Sequence, residues 1–210
     1  MRQKWNLISY LAIMFIVFSW SAIQPHDYFT WFLEVLPAIL GVGILAAAYR
    51  RFEFTGLVYF LVMVHAIILM IGGHYTYAEV PLFNWFRDHF GLIRNDYDRV
   101  GHFFQGFVPA IITREVLLRT TSLKKGKLVT FLTVCVCLAF SALYELFEWR
   151  VAVATGSKAD AFLGSQGDVW DTQEDMAMCL VGSIVSVLTL SRFHDRLLIN
   201  KLAIYKAELT

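Results

Sequence analysis

Charge is scarce in this chain. Asp, Glu, Lys and Arg make up 17% of its 210 residues, where a soluble domain carries about a quarter. The formal net charge is only +1, so no overall positive field points to nucleic acid. Cysteine is rare too. Cys135, Cys137 and Cys179 all fall in apolar stretches, which reads as small apolar side chains in helix contacts and implies no disulfide framework. No H-E-x-x-H or E-x-x-H motif occurs, which excludes a zincin or ferritin-like arrangement. No Ser/His/Asp order and no phosphate-clamping Arg/Lys motif is present. Internal repeats, low-complexity runs and domain linkers are also lacking, and a secondary transporter built on an inverted repeat is correspondingly disfavoured.

What the chain does contain is apolar length. Hydrophobic residues make up 58% and aromatics 16%, and the mean hydropathy is +0.57. Spanning the hydrocarbon core takes about 20 mostly apolar residues. Six stretches approach this: 6–23, 31–49, 55–73, 101–118, 128–148 and 170–191. The expected fold is all-α, one integral membrane domain over 1–210 built as a bundle of six transmembrane helices. The fourth stretch is weakest, because it holds His102, Gln105, Pro109 and Arg114; the sixth begins with polar residues. The first run is longer than the ~7–15 residues of a signal-peptide core and reads as a retained helix. Pro37 and Pro109 predict kinks, and His65 reads as a satisfied core histidine.

Lys and Arg set the direction of threading. With both termini cytoplasmic, thirteen of the eighteen basic residues fall inside, among them Arg2, Lys4, Arg50, Arg51, Arg119, Lys124, Lys125, Lys127 and Lys206. Arg87, Arg94, Arg99, Arg150 and Lys158 fall outside. The reading is a multi-pass membrane protein with membrane lipids as its immediate partners, and the resemblance given below implies the bacterial inner membrane. The outer segment 77–91 is either an amphipathic helix on the outer leaflet or an ordinary packed loop with a short helix.

Alternate threading then delivers acids and imidazoles from several stretches to one face. Asp98, His102 and Gln105 are spaced i, i+4, i+7; Glu145 and Glu148 are i, i+3; Asp168, Asp171 and Asp175 are i, i+3, i+7. Each set lies on one stripe of its helix. His74 closes the third stretch, Asp96 precedes the fourth, and Glu34 is a further contributor. Carboxylates near hydrocarbon mark function by default. Crowded carboxylates need a cation, and a mixed Asp/Glu/His set suits Zn, Mn or Fe. The candidate ligands of a divalent metal ion are His74, Asp98, His102, Glu145, Asp168, Asp171 and Asp175, supported by Asp96, Gln105, Arg99 and Arg150. Glu148 is the candidate general base. Arg94, Arg99 and Arg150 offer the other solution, a structural salt-bridge network.

The stretches G-G-H-Y-T-Y (72–77), R-N-D-Y-D-R-V-G-H-F-F-Q-G (94–106), Y-E-L-F-E-W (144–149) and G-S-Q-G-D-V-W-D-T-Q-E-D-M (164–176) resemble the YjdF-like family of bacterial inner-membrane proteins. The resemblance covers nearly the whole chain and implies no established activity. A fainter likeness to the VanZ-like membrane proteins rests on Asp98 with His102, Glu145, and Asp171 with Gly182; the chain departs from that pattern at Glu148 and Asp175. This likeness implies an envelope role. Three functions remain open: a metal-dependent enzyme handling a lipid or polyprenyl phosphate headgroup, a non-catalytic protein binding a lipid-linked or other small envelope ligand, and a cation or proton transporter.

Overall fold

A computed structural model describes residues 2–207; the side chains of residues 2–5, 157, 158, 202 and 204–207 lie outside that description, and with them Arg2, Lys4, Lys158 and Lys206 of the charge count. The architecture is all-α, and no strand occurs among the described residues. The helices are α1 (Arg2–Ser21), α2 (Tyr28–Ala48), α3 (Gly56–Tyr75), α4 (Pro81–Phe90), α5 (Tyr97–Thr120), α6 (Lys127–Thr155), α7 (Asp160–Leu163) and α8 (Asp171–Ala207). Local chemistry sets their ends. Asp27 accepts the Thr30 amide at 2.7 Å as the N-cap of α2, and that bond holds its carboxyl below the ordinary carboxylate range. Pro81 opens α4, and Gly91 closes it with φ +65°, a left-handed position that favours glycine.

α2, α3, α6 and the Asp171–Lys201 part of α8 are long and apolar enough to cross a membrane. The apolar part of α1, Asn6–Ser21, is shorter. α5 carries His102, Gln105, Arg114 and Glu115 and takes its place through its neighbours. Large apolar side chains such as Phe15, Ile44, Phe131 and Leu188 remain exposed around the bundle, as a lipid-facing surface requires and a water-facing one rarely shows. α8, at 37 residues, is about 55 Å long. It therefore runs well past the expected 170–191 and past a hydrocarbon core of about 30 Å. α6 likewise extends beyond 148, so Glu148 sits within the helix and not at its end.

Two groups of helices make up the bundle. α1, α2 and α3 pack around Met14, Val35, Ala38, Met63 and Ala66. α5, α6 and α8 form the second group, joined to the first mainly through α3 and α5. α5 and α8 run parallel, since Arg99 meets Asp175 at one end and Arg114 meets His194 at the other. Their backbones nearly touch midway. A Cβ on Gly106 would lie 1.9 Å from the Cys179 carbonyl oxygen, and one on Gly182 would lie 2.0 Å from that of Phe103. Small residues permit this approach. Cys179 also donates to the Cys137 carbonyl of α6 at 3.5 Å; all three cysteines are free thiols. Because α5 and α8 start at the same end as α6 finishes, their polar stripes share one end of the bundle.

Candidate functional site

The loop before α5 and the loop before α8 are tied together. The Asn95 amide donates to the Gln166 side-chain oxygen, and the Gln166 side chain donates back to the Asn95 carbonyl, each at 2.9 Å. Asn95 also donates to the Val80 carbonyl and to Asn84. This clamp places two arginines among the acids. Arg94 reaches Asp171 at 2.6 Å, Asp168 at 3.4 Å, Asp98 at 3.7 Å and Asp96 at 3.8 Å. Arg99 reaches Glu174 at 2.9 Å, Asp168 and Asp171 each at 3.1 Å, and Asp175 closer still. Asp168 lies outside the helices. The Trp170 amide, then the Arg99 and Arg94 guanidinium groups, hold its carboxyl below the ordinary range.

Beneath this network lies His102, buried between α5, α6 and α8. Its Nδ1 is 3.1 Å from Gln105 Oε1. In the tautomer that donates this bond, the Nε2 lone pair faces Asp98 Oδ1 at 3.4 Å and Asp175 Oδ2 at 3.7 Å. The other oxygens of those two carboxylates face Arg94 and Arg99. One ligand atom from each of Asp98, His102 and Asp175 lies within 4.8 Å of the other two. Two ligands about 2.05 Å from a tetrahedral ion stand about 3.3 Å apart, so modest closure brings the set to coordination distance. Gln105, Arg94 and Arg99 hold the three ligands by their far sides, the role of an outer shell around a metal. Glu145 Oε1 stands 3.7 Å from His102 Nδ1 and has no hydrogen-bond partner among the described residues.

Two cavities flank this centre. An inner one of about 50 Å³ is bounded by Glu34, His65, Tyr77, Asp98, His102, Tyr144 and Glu148, among others. An outer groove of about 620 Å³ runs between α6 and the start of α8, lined by Glu145, Leu146, Glu148, Trp149, Asp171 and Met176, among others. Glu148 borders both. It is 8% exposed, and no hydrogen bond or ion pair engages it among the described residues.

Several expectations need correction. His74 does not join the acids: its Nδ1 bonds the Ser21 carbonyl at 3.1 Å, and its ring packs on Trp20 and Tyr75. The α1–α3 contact holds it there. Arg150 is exposed and lies over the Trp149 ring at 5.6 Å; it makes no ion pair among the described residues, because it points away from the acidic stripe of α6. Asp168 and Asp171 are brought to the site but are engaged by the arginines, and Asp96 sits at the rim. His65 is not satisfied: its Nε2 lacks a hydrogen-bond partner among the described residues. Glu34 does contribute, buried beside Tyr77.

A second polar centre at the opposite end escaped the sequence reading. Glu115 of α5 is fully buried and accepts from the Thr55 amide and hydroxyl, from Arg119 at 2.7 Å, and pairs with His194 at 3.0 Å. Arg114 reaches His194 Nδ1 at 2.9 Å and Asp195 at 2.7 Å. Its one sequence signal was Glu115 and Arg119 at i, i+4 within a weakly apolar helix; the partner residues His194 and Asp195 lie beyond the expected end of the last span.

No solved structure matches this chain. It is 50% identical over 181 residues, 86% of its own length and 87% of the relative's, to inner membrane protein YjdF of Escherichia coli (strain K12). The family described as predicted membrane protein (DUF2238) matches residues 6–196, and the chain belongs to that family.

Proposed function

We propose that this is a multi-pass inner-membrane protein whose periplasm-facing pocket binds a divalent metal ion at Asp98, His102 and Asp175. The observation that carries this is the buried imidazole flanked by two carboxylates, each held by its far oxygen. Both termini are cytoplasmic in this reading, and α1 and α5 complete six crossings; the distribution of Lys and Arg supports that orientation. The mixed nitrogen and oxygen donors favour Zn, Mn or Fe over Mg or Ca. The ion would serve as a Lewis acid toward a headgroup in the groove, and Glu148, which borders both cavities, would act as general base. A phosphate headgroup with no positive group of its own, polyprenyl phosphate included, fits here only beside a bound cation, because Arg94 and Arg99 are already engaged. The VanZ-like likeness is in keeping with such an envelope role.

The test is elemental analysis of detergent-purified protein, stripped with chelator and reloaded with Zn, Mn or Fe. About one equivalent should bind wild type and be lost in the Asp98→Asn/Asp175→Asn double variant. Equal metal content in both proteins would defeat the reading. A non-catalytic alternative draws on a specific observation: Arg94 and Arg99 engage six of the acids, so part of this cluster is a structural network. A cation or proton transporter has weaker support, since the second polar centre at the other end is closed by its own pairs.

A further inference from the structure

The groove between α6 and α8 poses a charge problem that the bound-ion reading does not solve. Of the carboxylates on its wall, Asp168 and Asp171 are neutralised by Arg94 and Arg99. Glu145 turns its unbonded oxygen inward to His102, and Glu148 has no partner at all among the described residues, though it is nine-tenths buried. The nearest basic residue in sequence, Arg150, turns outward over Trp149. A buried carboxylate without a partner is unfavourable, so the wall of the groove is built for a positive group that comes from elsewhere.

The remaining walls say where that group comes from. Leu146, Trp149, Ala152, Leu163, Val169 and Met176 make the groove mainly apolar. Leu146 and Trp149 are more than half exposed on the outward side of α6, where the bundle meets acyl chains. The groove therefore opens sideways to lipid. Its volume of about 620 Å³ is within the range of about 300–1,000 Å³ that holds a small ligand. It fits a headgroup and the first part of its chains, with the rest of the lipid left in the bilayer.

We propose that this groove binds a membrane lipid carrying a primary ammonium headgroup, with the ammonium on Glu148 and the acyl chains against Leu146 and Trp149. A primary ammonium supplies three donors to a carboxylate that has none. A trimethylated ammonium supplies none, and a purely anionic headgroup is repelled. This rests on the pocket proposed above, with Glu148 common to both, but does not require the metal.

The test uses full-length protein, delipidated in detergent and titrated with phosphatidylethanolamine, phosphatidylcholine and phosphatidylglycerol of identical chains, with retention read by native mass spectrometry. Wild type should retain phosphatidylethanolamine at least about fivefold better than either of the others. Free ethanolamine at the same concentration should not compete, since the chains hold the lipid in place. Glu148→Gln should abolish the preference. The Asp98→Asn/Asp175→Asn variant should keep the preference even where it loses metal, which separates failure of the ion site from failure of the lipid site. Equal retention of the three lipids by wild type would overturn the proposal without any variant, as would an unchanged preference in a folded Glu148→Gln protein.

Discussion

Glu115 and Glu148 are both buried carboxylates on adjoining helices, at opposite ends of the bundle. Glu115 accepts from Thr55, Arg119 and His194; Glu148 accepts from none of the described residues. The contrast extends to their surroundings. Around Glu115 the groups interlock: Arg114 with Asp195, Lys125 with Asp195, Lys201 with Glu53. Around Glu148 lie two cavities, an unpaired His65 nitrogen and a half-engaged Glu145. Interlocked buried charge reads as a fastening. Buried charge left open beside a cavity reads as a site awaiting a ligand, since leaving it so destabilises the fold.

The largest effect is expected where one contact serves both ends. Gly106→Val would drive a side chain into the Cys179 carbonyl, forcing α5 off α8 and opening both centres; the variant should not accumulate as a monodisperse protein in detergent. Removal of one partner from a buried charge network comes next, at about 3–5 kcal/mol. Arg99→Ala at the site end and Glu115→Gln at the fastened end should both lower the thermal midpoint steeply. Glu148→Gln should not lower it in delipidated, metal-free protein, because no bonded partner is lost. If Glu115→Gln and Glu148→Gln shift the midpoint in the same direction, the distinction between fastening and site collapses.

Two smaller effects sharpen the picture. Asp27→Ala removes the N-cap of α2 at the site end and should cost about 1 kcal/mol, seen as faster amide exchange at Thr30. Asp168 has a folded-state pKa below its ordinary value of 3.8, so its contribution is present above pH 3.8 and is lost as pH falls through the lower folded value. Exchange at the Trp170 amide should accordingly be insensitive to pH above that point, apart from its intrinsic dependence, and lose protection only in stronger acid. Loss of protection beginning above pH 5 would show that Asp168 is not held as described.

The i, i+3 and i, i+4 spacings made much of the site visible in advance. Helical period and alternate threading together marked Asp98, His102, Glu145, Glu148 and Asp175, and the structure brings them together. His74 was marked by threading alone, as the end of an outward helix, and it belongs to the α1–α3 contact. Period fixes the face of a residue on its own helix but not which neighbour that face meets. Arg150 failed for a related reason: two positions beyond Glu148 and five beyond Glu145, it is rotated about 160° and about 140° from them. Glu115 and His194 were missed because their pairing joins residues 79 apart, and nothing local in the sequence marks that approach.

By itself the sequence determined that this chain is helical, that it lives in lipid and that acids collect at one end, because apolar length and charge placement act locally through hydration and backbone period. Tertiary packing alone decided which acids are neutralised and which are left open. That choice hangs on a parallel α5–α8 contact tight enough to need Gly106 and Gly182, and on the Asn95–Gln166 clamp that turns Arg94 and Arg99 toward some carboxylates and leaves Glu148 facing the groove.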